Sequence, residues 1–295
     1  MIIFGLNIPI NKSLYNTGMV TPYALIVLRM SFGAAIFWIV SLFLPKEKVE
    51  KRDLMILVAG GITGMLLNQG CFAVGLSMAS PVDASIITTS SPLFALIIAA
   101  VILKEPITLK KAGGVMVGII GAVFLVYSSH SDSVRQNPSL AGDLSVMAAQ
   151  LFYSFYLVIT RPLSTKYSPV TMMKWMFLTA TVITLPLFFR DVTEAHIFHQ
   201  SDYKPYLLLG FVLFGATFIT YMLIPFAQRR IRATTISMYN NVQPIVASTI
   251  AISMGQDRFT IEKLIAAVLI FGGVYLVTTS KSREDVVKAN QTTEN

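Results

Sequence analysis

Ten apolar runs fill this sequence almost from end to end, at 2–15, 22–44, 54–74, 84–103, 110–128, 143–160, 169–189, 204–224, 234–254 and 261–280. Most approach the roughly 20 residues that a helix needs to cross a hydrocarbon layer about 30 Å thick. Lipid offers no partner to a backbone N–H or C=O, so only helices and closed barrels span it. These runs are too long and too continuous for barrel strands. The expected fold is therefore an all-α integral membrane protein with ten transmembrane helices. Composition agrees: 13% of the residues are charged, against about 25% in soluble domains. The connections are short, which leaves no room for an inserted soluble domain.

The net charge of +8 points to topology, and nucleic acid is not an expected partner. Basic residues gather in alternate loops. One side holds Lys46, Lys48, Lys51 and Arg52; Lys104, Lys110 and Lys111; Arg161 and Lys166; Arg229, Arg230 and Arg232; and Lys281, Arg283 and Lys288. The other side holds only Arg135, Arg190, Lys204, Arg258 and Lys263. Cytoplasmic loops are the basic ones, so both termini are expected in the cytoplasm of a bacterial cell, with the chain in its inner membrane. Cys71 is the single cysteine, which excludes an internal disulfide and reads as packing. Residues 1–15 lack the basic start and small-residue cleavage site of a signal peptide. The first run opens at Met1 without a lead-in, so the natural start is expected upstream.

The chain also repeats itself. Residues 84–126 align with 236–278 without a gap, and the rarer residue types coincide: Pro92 with Pro244, Glu105 with Asp257, Thr108 with Thr260, Lys111 with Lys263 and Gly121 with Gly273. Each half holds five runs. An odd number makes the second half enter the membrane in the opposite sense, giving two inverted five-helix repeats, 1–128 and 142–280, followed by a disordered cytoplasmic tail, 281–295. Inverted repeats are a common plan of secondary transporters, with the site near the midplane between them.

Several motifs fit one family in order and spacing. They are Gly5-Leu6-Asn7 with Lys12, Leu28-Arg29-Met30-Ser31-Phe32, Ser91-Pro92-Leu93-Phe94 with Leu103-Lys104-Glu105, the glycines from Gly113 to Gly121, Gly142-Asp143-Leu144, Gln243-Pro244-Ile245 and Gly272-Gly273-Val274-Tyr275-Leu276. Over nearly all of 4–280 the chain resembles the EamA family of the drug/metabolite transporter superfamily. The resemblance implies ten helices in two repeats and export of small metabolites, often amino acids or related compounds, by alternating access. The family's tryptophan before Gly5 is Phe4 here, and the membrane glutamate that the small multidrug branch carries in its first helix is absent.

Polar groups inside apolar runs are candidate functional residues. Pro92 and Pro244 each remove a backbone hydrogen bond, freeing the carbonyls of Thr88 and Asn240. Both read as symmetry-related hinges on a substrate path, or else as kinks satisfied by their own Ser and Thr hydroxyls. Candidate cavity residues are Asn7, Asn11, Asn68, Gln69, Thr88, Tyr153, Tyr239, Asn240 and Gln243. Asn7 and Asn11 lie four residues apart and share a helix face. The alternative for each amide is an interhelical hydrogen bond. Lys12 and Arg29 place charge in the membrane, where they either snorkel outward or accept a substrate carboxylate. No carboxylate is central to any run, which argues against a proton-coupled exporter of cationic drugs.

Other chemistry finds no support. His196 and His199 form a lone pair in a loop and no metal site, no phosphate-binding loop points to ATP, and no catalytic set is visible. The chain reads as no enzyme and needs no cofactor. The expected activity is secondary transport of a small metabolite across the cytoplasmic membrane, with export implied by the resemblance. An importer or facilitator of the same fold, a channel or receptor, and a membrane-embedded enzyme are the alternatives. The expected partners are the lipid bilayer and a small-molecule substrate; the sequence leaves the oligomeric state open.

Overall fold

The computed structural model describes residues 1–102, 108–131, 139–230, 242–258 and 260–279. Those residues are helical, with no strand among them. The helices are α1 (Ile2–Asn16), α2 (Pro22–Ser41), α3 (Lys51–Met78), α4 (Pro81–Ile102), α5 (Leu109–Ser131), α6 (Leu140–Lys166), α7 (Pro169–Thr193), α8 (Lys204–Ala227), α9 (Val242–Ser253) and α10 (Ile261–Thr278). Eight of these regions are long and apolar enough to cross a membrane. The two below that length are α1, with 15 residues, and α9, with 12; the apolar run expected at 234–254 begins outside the described residues.

Local sequence sets the helix starts. Thr21-Pro22, Ser80-Pro81 and Ser168-Pro169 each pair a hydroxyl cap with a proline at the first helical position. There the fixed φ suits the helix and no N–H is missed. The cap oxygens accept from the N–H of Ala24 at 3.1 Å, Asp83 at 3.1 Å and Thr171 at 3.2 Å. Ser139 caps α6 in the same way through Gly142 N–H at 3.1 Å.

The burial pattern is that of a protein solvated by lipid. Met116, Ile119, Ile120 and Val123 of α5, and Ile261, Leu264, Ile265 and Val268 of α10, face outward, while Asn7, Asn11, Arg29, Asn68 and Gln150 are buried. An exposed apolar surface with a polar interior marks a bundle in hydrocarbon. Helices approach closely where side chains vanish. A Cβ on Gly273 would lie 2.5 Å from the Gly114 carbonyl oxygen, so α5 and α10 pack backbone to backbone. A Cβ on Gly75 would lie 2.8 Å from the Gly142 carbonyl oxygen, which joins α3 to α6 in the same manner. α2 packs along α7, where the rings of Phe37 and Phe177 stack at 5.6 Å.

Three irregularities place the polar residues. α4 is broken: Pro81–Thr88 and Ser91–Ile102 are separate helical segments joined by a turn. The hydroxyls of Thr88, Thr89 and Ser90 donate to the carbonyls of Ser85, Ile86 and Ile87 at 2.6, 2.7 and 2.7 Å. Those carbonyls are thus satisfied by the segment's own side chains. α3 and α8 each contain a widened π-helical stretch, at Gly61–Leu67 and Phe211–Ile219. Such stretches rotate the residues that follow relative to a regular helix and recur at functional sites. Asn68 and Gln69 follow the first; Thr217 lies in the second and Tyr221 follows it.

Candidate substrate cavity

A small, partly open cavity lies among α1, α3, α4, α6, α8 and α9, lined by Phe4, Asn7, Ile8, Asn68, Gln69, Phe72, Thr88, Ser91, Gln150, Tyr153, Tyr221 and Gln243. Seven of these twelve residues carry an amide or aliphatic hydroxyl and the other five are apolar or aromatic, a wall more polar than that of a typical small-molecule site. No carboxylate, histidine or cysteine is among these residues, and no group of metal-ligating side chains occurs among the described residues. Of the expected cavity residues, the structure brings together Asn7, Asn68, Gln69, Thr88, Tyr153 and Gln243. Asn11 is buried behind them and does not line the space. Tyr239 and Asn240 lie outside the described residues. Of the two expected hinge prolines, Pro92 sits at the break in α4, and Pro244 is buried in the first turn of α9.

A chain of hydrogen bonds holds one wall. Asn68 Nδ2 donates to the Ala149 carbonyl at 2.8 Å. Gln69 Nε2 donates to Asn68 Oδ1 at 2.9 Å and to the Tyr221 hydroxyl. Gln69 Oε1 accepts from Arg29 Nη1 at 2.6 Å, and Arg29 Nε donates to Thr217 Oγ1 at 3.0 Å. Side chains from α2, α3 and α8, and a carbonyl from α6, thus meet in one network. Ser154 donates to the Ser91 carbonyl at 2.8 Å, tying α6 to the start of the second half of α4. Asn7 Oδ1 is buried without a hydrogen-bond partner among the described residues.

The two membrane cations do not snorkel. Lys12 Nζ donates to the carbonyls of Leu76, Ser77 and Ala79 at 2.9, 3.0 and 2.8 Å, capping the C-terminal end of α3. A cation there also opposes the negative end of the helix dipole. Arg29 is 3% exposed and sits behind the Gln69–Tyr221 wall.

The chain matches the model of the EamA-like transporter family over residues 1–127 and 140–279. It belongs to the EamA-like transporter family. This EamA-like chain is 24% identical over 270 residues to "Uncharacterized transporter YyaM" of Bacillus subtilis, covering 90% of itself and 87% of that protein. It is 26% identical over 259 residues to "WAT1-related protein At3g53210" of Arabidopsis thaliana, covering 78% of itself and 69% of that protein. A solved crystal structure at 18% identity superposes with a TM-score of 0.64 over 94% of this chain and 97% of its own; that likeness concerns the fold. The protein is a multi-pass membrane transporter.

Tyr221, Phe4 and Phe72 line the cavity but were not among the expected residues, because an aromatic ring in an apolar run reads as packing. Tyr221 lies 152 residues after Gln69, the same separation as Pro92 and Pro244.

Proposed function

We propose that this transporter moves a small metabolite, an amino acid or related compound, outward across the bacterial cytoplasmic membrane by alternating access. The observation that carries this reading is the cavity itself, built from both halves of the chain and closed on one wall by the Gln69–Tyr221 pair. In this reading Gln69 and Tyr221, 152 residues apart and in contact, are repeat mates, which supports a site between the two halves, where secondary transporters bind substrate. The same reading takes the chain as ten spans in two inverted repeats, 1–128 and 142–280, with both termini cytoplasmic. It draws support from the pairing of α5 with α10 at Gly114 and Gly273, and from π-helical stretches in the third helix of each half. Amides and hydroxyls bind polar substituents, while Phe4, Phe72 and Tyr153 supply apolar contact.

Alternating access needs joints, and Pro92, at the break in α4, and Pro244, in the first turn of α9, serve as them. Pro92→Ala and Pro244→Ala are expected to lose flux while membrane levels stay normal; full flux in both removes the hinge role. The decisive experiment is flux of a metabolite panel in proteoliposomes, with and without a counter-gradient. Saturable flux that a counter-gradient accelerates is expected. Linear, non-saturable flux would indicate a channel, and no flux would overturn transport of these solutes.

A further inference from the structure

We propose that Arg29 is the anchor for a carboxylate on the transported substrate, an inference that rests on the transporter reading and adds the substrate's charge to it. A guanidinium remains ionised in any protein environment, and burying an ion costs several kcal/mol unless an opposite charge or a full set of hydrogen bonds offsets it. Arg29 has neither. Its neighbours Thr217 and Gln69 are neutral acceptors, and they take Nε and Nη1. Its Nη2 is buried with no hydrogen-bond partner among the described residues. No carboxylate among the described residues forms an ion pair with it. Lys263, equally buried, is flanked by Asp257 at 2.7 Å and Asp83 at 3.5 Å, so this fold supplies counter-ions where it needs only stability.

One residue separates the charge from the cavity. Gln69 lines the cavity and also holds Nη1 through its own Oε1. A substrate carboxylate that displaces Oε1 meets Nη1 and Nη2 together, the two-pronged geometry in which guanidinium binds carboxylate best. The displaced amide keeps its bonds to Asn68 and Tyr221, so the exchange costs the wall only one of its hydrogen bonds. A single guanidinium behind a wall of neutral lining groups matches one negative charge, which favours a monocarboxylate over a phosphate dianion. Asn7, which also lines the cavity, has a buried Oδ1 without a hydrogen-bond partner among the described residues, able to accept from an N–H or ammonium on the same molecule.

The test is a thermal-shift and flux comparison on the purified full-length protein, using monocarboxylates and zwitterionic amino acids, their carboxamides, and inorganic phosphate. Some carboxylates should raise the melting temperature while their amides do not. Arg29→Gln should weaken carboxylate binding by at least about 30-fold, and Arg29→Lys should restore part of it, since losing one partner of a buried charge pair has effects of that order. Equal stabilisation by acid and amide, no stabilisation by any carboxylate, or a response to phosphate alone would overturn the anchor; the acid–amide comparison in the unmodified protein holds even where a variant fails to fold. Carboxylate binding without flux of any compound would defeat the transporter reading and leave the anchor standing. Flux of acids that is untouched by Arg29→Gln would do the reverse.

Discussion

Lys263 and Arg29 are 5% and 3% exposed, yet the fold treats them differently. Lys263 lies at one end of the bundle among Asp257, Asp83 and the Arg258 carbonyl, the last at 3.0 Å. Asp257 in turn accepts from Val82 N–H at 3.3 Å, so the cluster fastens the α9–α10 turn onto the start of α4. Arg29 lies against the cavity wall and receives two neutral acceptors. The contrast separates charge used as a fastening from charge held without a counter-ion. A fastening is neutralised within the chain; a charge that awaits a ligand is not.

The largest effect should come from breaking the neutralised cluster. Lys263→Met leaves two buried carboxylates without the cation between them, and removing one partner of a buried pair costs about 3–5 kcal/mol. A sharply lower melting temperature in detergent is expected, and a melting temperature equal to the parent's would end the contrast. Arg29→Met should act differently. It removes a charge and leaves behind only the neutral acceptors Gln69 Oε1 and Thr217 Oγ1, so stability should fall by about 1–2 kcal/mol at most, while carboxylate flux is lost. A melting temperature as low as that of Lys263→Met would make Arg29 a fastening too.

The smallest effect is that of pH. Burial raises the Asp257 carboxyl, but the Lys263 ammonium, with help from Ser80 and the Arg258 N–H, outweighs burial and holds it below the usual carboxylate range. A depressed folded value contributes stability that is complete above the unfolded value, about 3.9 for Asp, and is lost as pH falls through the folded value. The stability difference between parent and Asp257→Asn should therefore be flat from about pH 5 to 8 and shrink only below about pH 4. The difference between parent and Arg29→Met should be flat across that whole range, because guanidinium does not titrate there. A step near neutral pH in either profile would show that another group governs that region.

Much of the cavity was legible before any coordinates. Asn7, Asn68, Gln69, Thr88, Tyr153 and Gln243 stand out as polar groups within apolar runs, and lipid drives such groups inward. Asn11 obeys the same rule and is buried, but position along the helix, which no face argument fixes, sets it outside the cavity lining. From the sequence, Lys12 reads as a membrane charge that either snorkels outward or accepts a substrate carboxylate. Its true role as a cap on α3 depends on carbonyls 64 to 67 residues away.

Sequence by itself determined that this chain is helical and embedded, and which residues turn inward. Each span must satisfy its backbone hydrogen bonds within itself in lipid, so that information is local and shows as runs, caps and prolines. Tertiary structure alone decided what each buried charge meets. Arg29 finds its partners 40 and 188 residues away, and Lys263 reaches both Asp257 on its own turn and Asp83 in the other half of the chain. Coulomb energy depends on distance in space and on the dielectric between charges, and neither is written in the order of residues.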